Sequence, residues 1–112
     1  MYKVTVIGHL VADARLGNYG DRNVANFKIG AGTRFKGDDG QYMSNFPEVS
    51  VWGKSADFAA TLKKGDKVMV MGDQCVKLYT DKNGKQGINI AITADTIEAM
   101  KPKQNSGDIF DS

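Results

Sequence analysis

The chain has 112 residues, a net charge of +2, one histidine and one cysteine. That length corresponds to a single ordinary domain and excludes a separate catalytic domain. No apolar run approaches the roughly 20 residues of a membrane span, and the opening residues, MYKVTVIGHL, lack the pattern of a secretory signal peptide. We therefore expect a cytoplasmic protein, and the single Cys75, which has no partner for an internal disulfide, agrees with a reducing compartment.

Charge divides the chain unevenly. All 15 Lys and Arg residues and 11 of the 13 Asp and Glu residues lie within residues 1–103, so this part carries +4 and residues 104–112 carry −2. We expect a weakly basic domain over residues 1–103, followed by a short, flexible acidic tail over residues 104–112. A weakly basic surface is compatible with nucleic-acid binding but does not by itself indicate it.

Alternating apolar and polar residues predict three strands in the first half of the chain. The first is KVTVIGHL (residues 3–10), in which Gly8 suits a bend or bulge, and the second is RNVANFKIGAG (residues 22–32). Two glycines and two aspartates in TRFKGDDGQYMS mark the turn of a long hairpin, which returns through NFPEVSVWGK (residues 45–54).

The returning strand has an unusual distribution of side chains. Because side chains alternate in a strand, Val49 and Val51 share one face, and Phe46 and Trp52 share the opposite face with polar residues. The two aromatics are six residues apart, about 20 Å at 3.3 Å per residue. The sequence thus predicts two separate aromatic platforms on the side of the strand that faces water.

KSADFAATLKKGD (residues 54–66) carries the only convincing helix signal. We predict a helix capped by Ser55, ended by Gly65 and docked on the sheet through Phe58 and Leu62. Phe27, on the apolar face of the second strand, is assigned to the core together with Phe58.

Two further strands follow, DKVMVMGDQCVKLYT and GINIAITADTIEAM, joined by a tight turn at Asn83-Gly84. Three strands, a helix and two strands is the arrangement of an all-β OB-fold, a five-stranded partly open barrel with one short helix between strands 3 and 4. A generic small β-barrel or sandwich has similar alternation, because periodicity does not specify the order of strands.

Residues typical of enzyme sites are sparse. His9 is the only histidine, and no nucleophile and acid can be assembled around it into a catalytic set. Asp38-Asp39-Gly40 is typical of a turn, and no spaced third acid completes a calcium loop. We therefore expect a protein that is not an enzyme and has no cofactor or metal.

Aromatic and basic residues are instead interleaved along the chain. Single-stranded nucleic acid is bound by aromatic rings on which bases stack and by basic residues that contact phosphates. Phe35 lies between Arg34 and Lys36, and Trp52 is followed closely by Lys54. Tyr79 lies between Lys77 and Lys82, and Phe46 shares a strand face with Trp52.

Several segments together resemble one known family. VTVIGHLVADARL, VANFKIG, VSVWGKSADFAATLKKGDKVMVMG and LYTDKNGKQ are similar, in the same order, to segments of bacterial- and phage-type single-stranded DNA-binding proteins. The similarity covers about residues 2–100. It implies an OB-fold, commonly a homotetramer, that binds single strands with little sequence preference and protects them during DNA replication, recombination or repair. It also implies that bases stack at the positions of Phe35, Phe46, Trp52 and Tyr79.

The sequence departs from this family first in the strands that carry the predicted binding residues and then at the C-terminus. The strand after Gly72 carries only Lys77 where arginines are usual, and Glu48 adds a negative charge between Phe46 and Trp52. We therefore expect a shallow dependence of binding on salt, with stacking providing more of the affinity. Stacking accepts both DNA and RNA, so the preference between them stays open.

The C-terminal residues form the second departure. Cellular members of the family usually end in an acidic tip with a final phenylalanine that recruits other proteins. The candidate recruiting segment here comprises Asp108, Ile109, Phe110 and Asp111. Its phenylalanine is not the last residue, because Asp111 and Ser112 follow it. This segment is either a shortened recruiting tip or a frayed terminus, and the short tail points to a phage or mobile-element origin.

An alternative function is an OB-fold assembly module whose aromatic face contacts other proteins. The solvent accessibility of Trp52 distinguishes the two functions, because an open ring favours DNA and a covered ring favours a protein contact.

Overall fold

The computed structural model describes residues 2–100, which form seven strands and one short helix. The predicted boundary at residues 103 and 104, and the acidic tail beyond it, lie outside the described residues. The elements in chain order are β1 (Lys3–Leu10), β2 (Arg15–Tyr19), β3 (Arg22–Lys36), β4 (Tyr42–Asn45), β5 (Glu48–Trp52), α1 (Lys54–Ala59), β6 (Lys67–Thr80) and β7 (Gln86–Ala99).

Five of these strands close into a barrel. Going around it, β1 pairs with β6, β6 with β7, β7 with β5, and β5 with β3; only the β5–β7 pair is parallel. The ring is completed by two residue pairs between β3 and β1, His9 with Gly30 and Leu10 with Ile29. Because this last junction is so short, the barrel is partly open, and the predicted OB-fold with a helix after its third barrel strand is confirmed.

The strand count differs from the predicted five at two places. β2 is an additional strand that forms a hairpin with β3, and its sequence RLGNY has no apolar alternation by which to recognise it. The predicted third strand is divided into β4 and β5, which keep one register with β3, since Ala31 lies opposite Asn45 and Lys28 opposite Glu48. Pro47 interrupts the ladder because its nitrogen has no hydrogen to donate.

The core lies inside the barrel. Phe27 and Ile29 of β3 and Val49 and Val51 of β5 point inward and are almost fully buried, as the alternation predicts. Burying a side chain of this size stabilises the fold by about 1.5–3 kcal/mol relative to leaving it in water. Further buried apolar side chains come from β3 itself, from the other barrel strands and from around α1, and include Leu10, Ala25, Ala56, Ala59, Leu62, Val68, Val70 and Ile92.

Two glycines allow strands to approach closely. A Cβ on Gly8 would lie 2.5 Å from the carbonyl oxygen of Gly30, and a Cβ on Gly72 would overlap the carbonyl oxygen of Thr93. The irregularity in the barrel ladders falls between Met71 and Gly72, whereas Gly8 keeps a regular register with β6. Of the bend or bulge suggested for Gly8, the bulge is therefore wrong, whereas the bend stays a prediction; Gly8 provides space where β1 approaches β3.

The helix is shorter than predicted. α1 has six residues and begins after Gly53, which has φ 75° and provides no side-chain cap, so Ser55 lies inside the helix and the predicted cap is wrong. Phe58 is 44% exposed, which contradicts its assignment to the core. Leu62, beyond the helix, is buried instead. Gly65 adopts the predicted left-handed conformation, with φ 90°, but ends the following loop, where its N–H donates to the Leu10 carbonyl.

Candidate nucleic-acid interface

The strand register places the predicted binding residues on the side of the barrel wall that faces away from the core, here called the outer face. Residues directly opposite each other in an antiparallel pair project to the same face. Trp52 lies opposite Val24, and Glu48 lies opposite Lys28. Because Val49 and its inward-pointing neighbours fill the core, these alternate positions project outward.

Phe46 extends this outer face across the break at Pro47. The shared register of β4 and β5 puts Phe46 opposite Gly30, and a Cβ on Gly30 would lie 3.1 Å from Cε1 of the Phe46 ring. The ring therefore rests against the backbone of β3, in space that a side chain would otherwise occupy. Phe46 is nevertheless 53% exposed, so part of the ring is accessible to a ligand.

The β6–β7 hairpin continues the outer face on the other side of β5. Lys77 pairs with Asn89, and Tyr79 pairs with Gly87. A Cβ on Gly87 would overlap the ring of Tyr79, so this ring also lies over a glycine. Tyr79 is 52% exposed, which matches Phe46. The two aromatics are thus fixed on one side by backbone and accessible on the other.

An open cleft of about 750 Å³ lies between the β3–β4 hairpin and the β6–β7 hairpin. It forms because β5 and β7 pair only over three residues and then diverge. Three of the predicted site residues, Phe46, Lys77 and Tyr79, line this cleft. The structure therefore brings together one aromatic from each hairpin, with a lysine beside one of them.

Sequence reasoning missed other residues of the cleft. Lys28 lines it from β3, and Leu78 and Ile88, a facing pair of the β6–β7 hairpin, add exposed apolar side chains. Lys28 could have been found from its position on the polar face of the second predicted strand. Leu78 and Ile88 follow the core alternation, and only the structure reveals that the hairpin extends beyond the barrel.

Trp52 lies outside the cleft, at the other end of β5, and is half-buried. The Tyr19 ring contacts it edge-on, with centroids 6.0 Å apart and an interplanar angle of 62°. The Arg22 guanidinium carbon lies 5.0 Å from the centroid of the Trp52 ring. Neither contact was predicted. Tyr19 belongs to β2, which the sequence pattern does not reveal, and the register that brings Arg22 of β3 near Trp52 of β5 cannot be read from alternation.

Phe35, Arg34 and Lys36 lie near the end of the β3–β4 hairpin and are exposed. Lys36 Nζ lies 5.2 Å from the centroid of the Tyr42 ring, so its charge has an aromatic neighbour there. Phe35 is eleven residues along β3 from the residue opposite Trp52, about 36 Å at 3.3 Å per residue. The structure thus separates this group from the Trp52 end of the outer face.

The two remaining predicted lysines also lie apart from the cleft. Lys54 begins α1, next to the end of β5. Lys82 lies in the turn of the β6–β7 hairpin, where Gly84 has φ 81° and the Asp81 carboxylate accepts the N–H groups of Asn83 and Lys85. This is the tight turn that the Asn-Gly pair predicts.

The single negative charge that Glu48 adds between Phe46 and Trp52 has a positive neighbour on the outer face. Within residues 2–100, the ion pairs join Lys3 to Asp73 and to Asp95. The hydrogen bond to Asp95, followed by the one to Asp73, raises the pKa of Lys3. Lys28 and Lys77 make no ion pair in that range. Glu48, which separates Phe46 from Trp52, has Lys28 directly opposite it, so the two charges offset each other along the face.

The described residues hold no group of three or more His, Cys, Asp or Glu side chains that could bind a metal. Within residues 2–100, no helix is long and apolar enough to cross a membrane. The predicted recruiting segment lies outside the described residues and comprises Asp108, Ile109, Phe110 and Asp111.

Comparison with known proteins gives a consistent result. Residues 1–100 match the Single-strand binding protein family. The single-stranded DNA-binding protein of Wolinella succinogenes is 32% identical over 106 residues, which cover 90% of this chain and 65% of that relative. The single-stranded DNA-binding protein 1 of Clostridium acetobutylicum is 27% identical, over 95% of this chain and 99% of its own length.

The chain thus spans slightly less than two thirds of the Wolinella relative, at 65% of its length. The family and its relatives are named as binding proteins, which supports the expectation of a protein that is not an enzyme. The match over residues 1–100 and the OB-fold agree with the resemblance drawn from the sequence. The chain belongs to the single-strand binding protein family.

Proposed function

We propose that this protein binds single-stranded DNA without catalysis and with little sequence preference. The observation that carries the proposal is the open cleft of about 750 Å³, which has Phe46 and Tyr79 on its two sides and Lys28 and Lys77 beside them. The relatives named single-stranded DNA-binding proteins support the same ligand.

Stacking explains why the binding would tolerate any sequence. Every base has an aromatic face, and stacking one base on an aromatic side chain contributes about 1–3 kcal/mol. Phe46 and Tyr79 rest on glycines, so their rings are held in place before a base arrives, and little side-chain freedom is lost on binding.

Phosphate contacts provide the second part of the affinity. Lys28 and Lys77 line the cleft, and Arg15 lies on the outer face opposite Asn26. Because Lys28 and Arg15 add to the single lysine recognised in the sequence of β6, the dependence on salt is steeper than Lys77 alone would produce. It remains shallower than for a surface rich in arginine.

The other predicted residues would contact DNA beyond the cleft. At the β3–β4 hairpin, a longer strand would reach Phe35 with Arg34 and Lys36. At the far end of β5 it would reach Trp52 and Lys54, and at the turn of the β6–β7 hairpin it would reach Lys82. A path of this kind fits the range of about 4–16 nucleotides bound by single OB-folds.

We also propose that the protein is a homo-oligomer, a tetramer by family resemblance. Residues 3–8 of β1 pair with β6 on one side, whereas pairing with β3 begins only at His9. Among residues 2–100, the other edge of Lys3–Gly8 therefore has no neighbouring strand and could pair with a second copy. Ile7 and Met71 are also exposed on the outside of β1 and β6. These features make assembly through β1 compatible with DNA binding in the cleft. The alternative, a protein-contact module, would instead use the aromatic outer face.

In the cell, such an assembly would coat and protect single strands during DNA replication, recombination or repair. Residues 108–111 would recruit partner proteins.

The first experiment is a titration of fluorescein-labelled oligo-dT, read by polarisation, with a duplex of equal length as control. We expect tight binding of the single strand, weak binding of the duplex and quenching of the Trp52 fluorescence by the single strand. Equal affinity for both DNAs, or no binding to oligo-dT by the folded protein, would overturn the proposed function. Oligo-U in a parallel titration reports the preference between DNA and RNA.

A further inference from the structure

We propose that the β2–β3 hairpin carries an additional base-stacking site, centred on Tyr19, that extends the DNA path beyond Trp52. This inference rests on the proposed function. Tyr19 would be the stacking ring at the end of the DNA path, and Trp52 would support it there.

The register of β2 and β3 places Tyr19 on the path. Tyr19 lies opposite Arg22, Gly17 opposite Val24, and Val24 is in turn opposite Trp52 on β5. All of these positions project to the same side of the three strands, because directly opposed residues share a face. The outer face therefore continues without a break from β5 across β3 to β2.

Of the two aromatic rings at this end of the outer face, Tyr19 is more accessible than Trp52. Trp52 is half-buried. The Tyr19 and Trp52 rings meet edge-on with their centroids 6.0 Å apart, and the Arg22 guanidinium lies 5.0 Å from the Trp52 centroid. A base approaching Trp52 must share its surface with Arg22. Tyr19 is 77% exposed, so a base can stack on it without displacing either neighbour.

Charge around Tyr19 suits a phosphate backbone. Arg22 lies directly opposite Tyr19, and Arg15 is on the same face four residues away along β2. Neither arginine makes an ion pair within residues 2–100. The nearby acids are Asp21 in the hairpin turn and Asp57 of α1, which accepts a hydrogen bond from the side chain of Asn23. Two unpaired guanidinium groups beside an exposed ring combine the two contacts that single strands require.

The test uses a length series of labelled oligo-dT, from about 4 to about 16 nucleotides, with the variants Tyr19→Leu and Tyr19→Phe. We expect Tyr19→Leu to weaken binding of the longest oligonucleotides by about 5- to 150-fold, the equivalent of one lost stack. The shortest oligonucleotides, which occupy the cleft alone, should bind as they do to the unchanged protein. Tyr19→Phe should bind every length normally, because it keeps the ring.

Two further variants complete the design. Arg22→Gln should reduce the slope of log affinity against log salt by about 0.7 for long oligonucleotides, the value for one phosphate contact. Tyr79→Leu should weaken binding at every length and so reports on the cleft separately. Far-UV circular dichroism checks that each variant is folded.

Equal binding of long oligonucleotides by Tyr19→Leu and the unchanged protein would overturn the inference, while a loss in Tyr79→Leu would leave the proposed function standing. A loss in Tyr19→Leu that is the same at every length would also overturn it, since the defect would not lie at the end of the path. Failure of the unchanged protein to bind any oligonucleotide would overturn the proposed function and this inference together.

Discussion

The ring of Tyr79 lies over Gly87, its partner across the β6–β7 ladder, so closely that a Cβ at Gly87 would overlap the ring. Phe46 lies over Gly30 in the same manner on the other side of the cleft. Each aromatic of the cleft is thus paired with a glycine on the neighbouring strand. The glycines determine where the rings lie, although they carry no side chain that could contact DNA.

Gly87→Ala tests this relationship directly. The added methyl group must displace the Tyr79 ring, so we expect binding of oligo-dT to weaken by about 1–3 kcal/mol, as if the stack on Tyr79 were lost. Gly32→Ala is a matched control, because a Cβ at Gly32 meets nothing within 4 Å and its φ is not positive. Fluorescence polarisation measures both variants, and similar affinities for the two would contradict a role for Gly87 in placing Tyr79.

Phe46→Ala should weaken binding of oligo-dT by about 1–3 kcal/mol with little change in thermal stability, because its ring is exposed. Phe58→Ala provides the comparison. Phe58 is also an exposed phenylalanine, but it lies on α1 and does not line the cleft. Titrations of both proteins with the same oligonucleotide would count against stacking if their affinities fell equally.

The facing charges of Lys28 and Glu48 should have opposite effects on binding. Lys28→Gln removes a phosphate contact, so we expect weaker binding and a salt slope shallower by about 0.7. Glu48→Gln removes repulsion of phosphate, so we expect tighter binding. Titrations between about 50 and 200 mM salt measure both effects. A salt slope that is unchanged in Lys28→Gln would place the phosphates elsewhere.

Ile92 and Ile88 lie on the same side of β7 but differ in burial. Ile92 is 1% exposed in the core and Ile88 is 63% exposed at the cleft. We expect Ile92→Ala to lower the free energy of unfolding by about 2–5 kcal/mol, since it leaves a cavity. Ile88→Ala should change it by less than about 0.5 kcal/mol. Urea denaturation followed by circular dichroism compares them, and a large loss of stability in Ile88→Ala would mean that the hairpin is packed against another surface in solution.

The sequence by itself determined the barrel strands and the division of β5 into two faces. Val49 and Val51 point into the core and Trp52 away from it, because a strand alternates its side chains with a period of two residues. The same rule placed Phe46 on the outer face. Family resemblance and the interleaving of aromatic and basic residues led to the same four candidate rings.

Local patterns failed where the chain departs from simple periodicity. The segment that forms β2 has no apolar alternation, because its outer face is polar and aromatic and it lies at the edge of the sheet. Phe58 fits a helical apolar face with Leu62, but α1 ends at Ala59 and the two side chains diverge. A spacing of four residues places side chains together only while the helix continues.

Only the tertiary structure decided which candidate residues act together. Phe46 and Tyr79 are distant in the chain, and they line the same cleft because β5 pairs in parallel with β7 and then separates from it. Trp52, which the sequence presents as an open platform, is contacted by Arg22 of β3 and by Tyr19 of β2, a strand that local patterns do not reveal. Such contacts depend on the pairing and register of strands far apart in sequence, whereas alternation reports only the two faces of each strand.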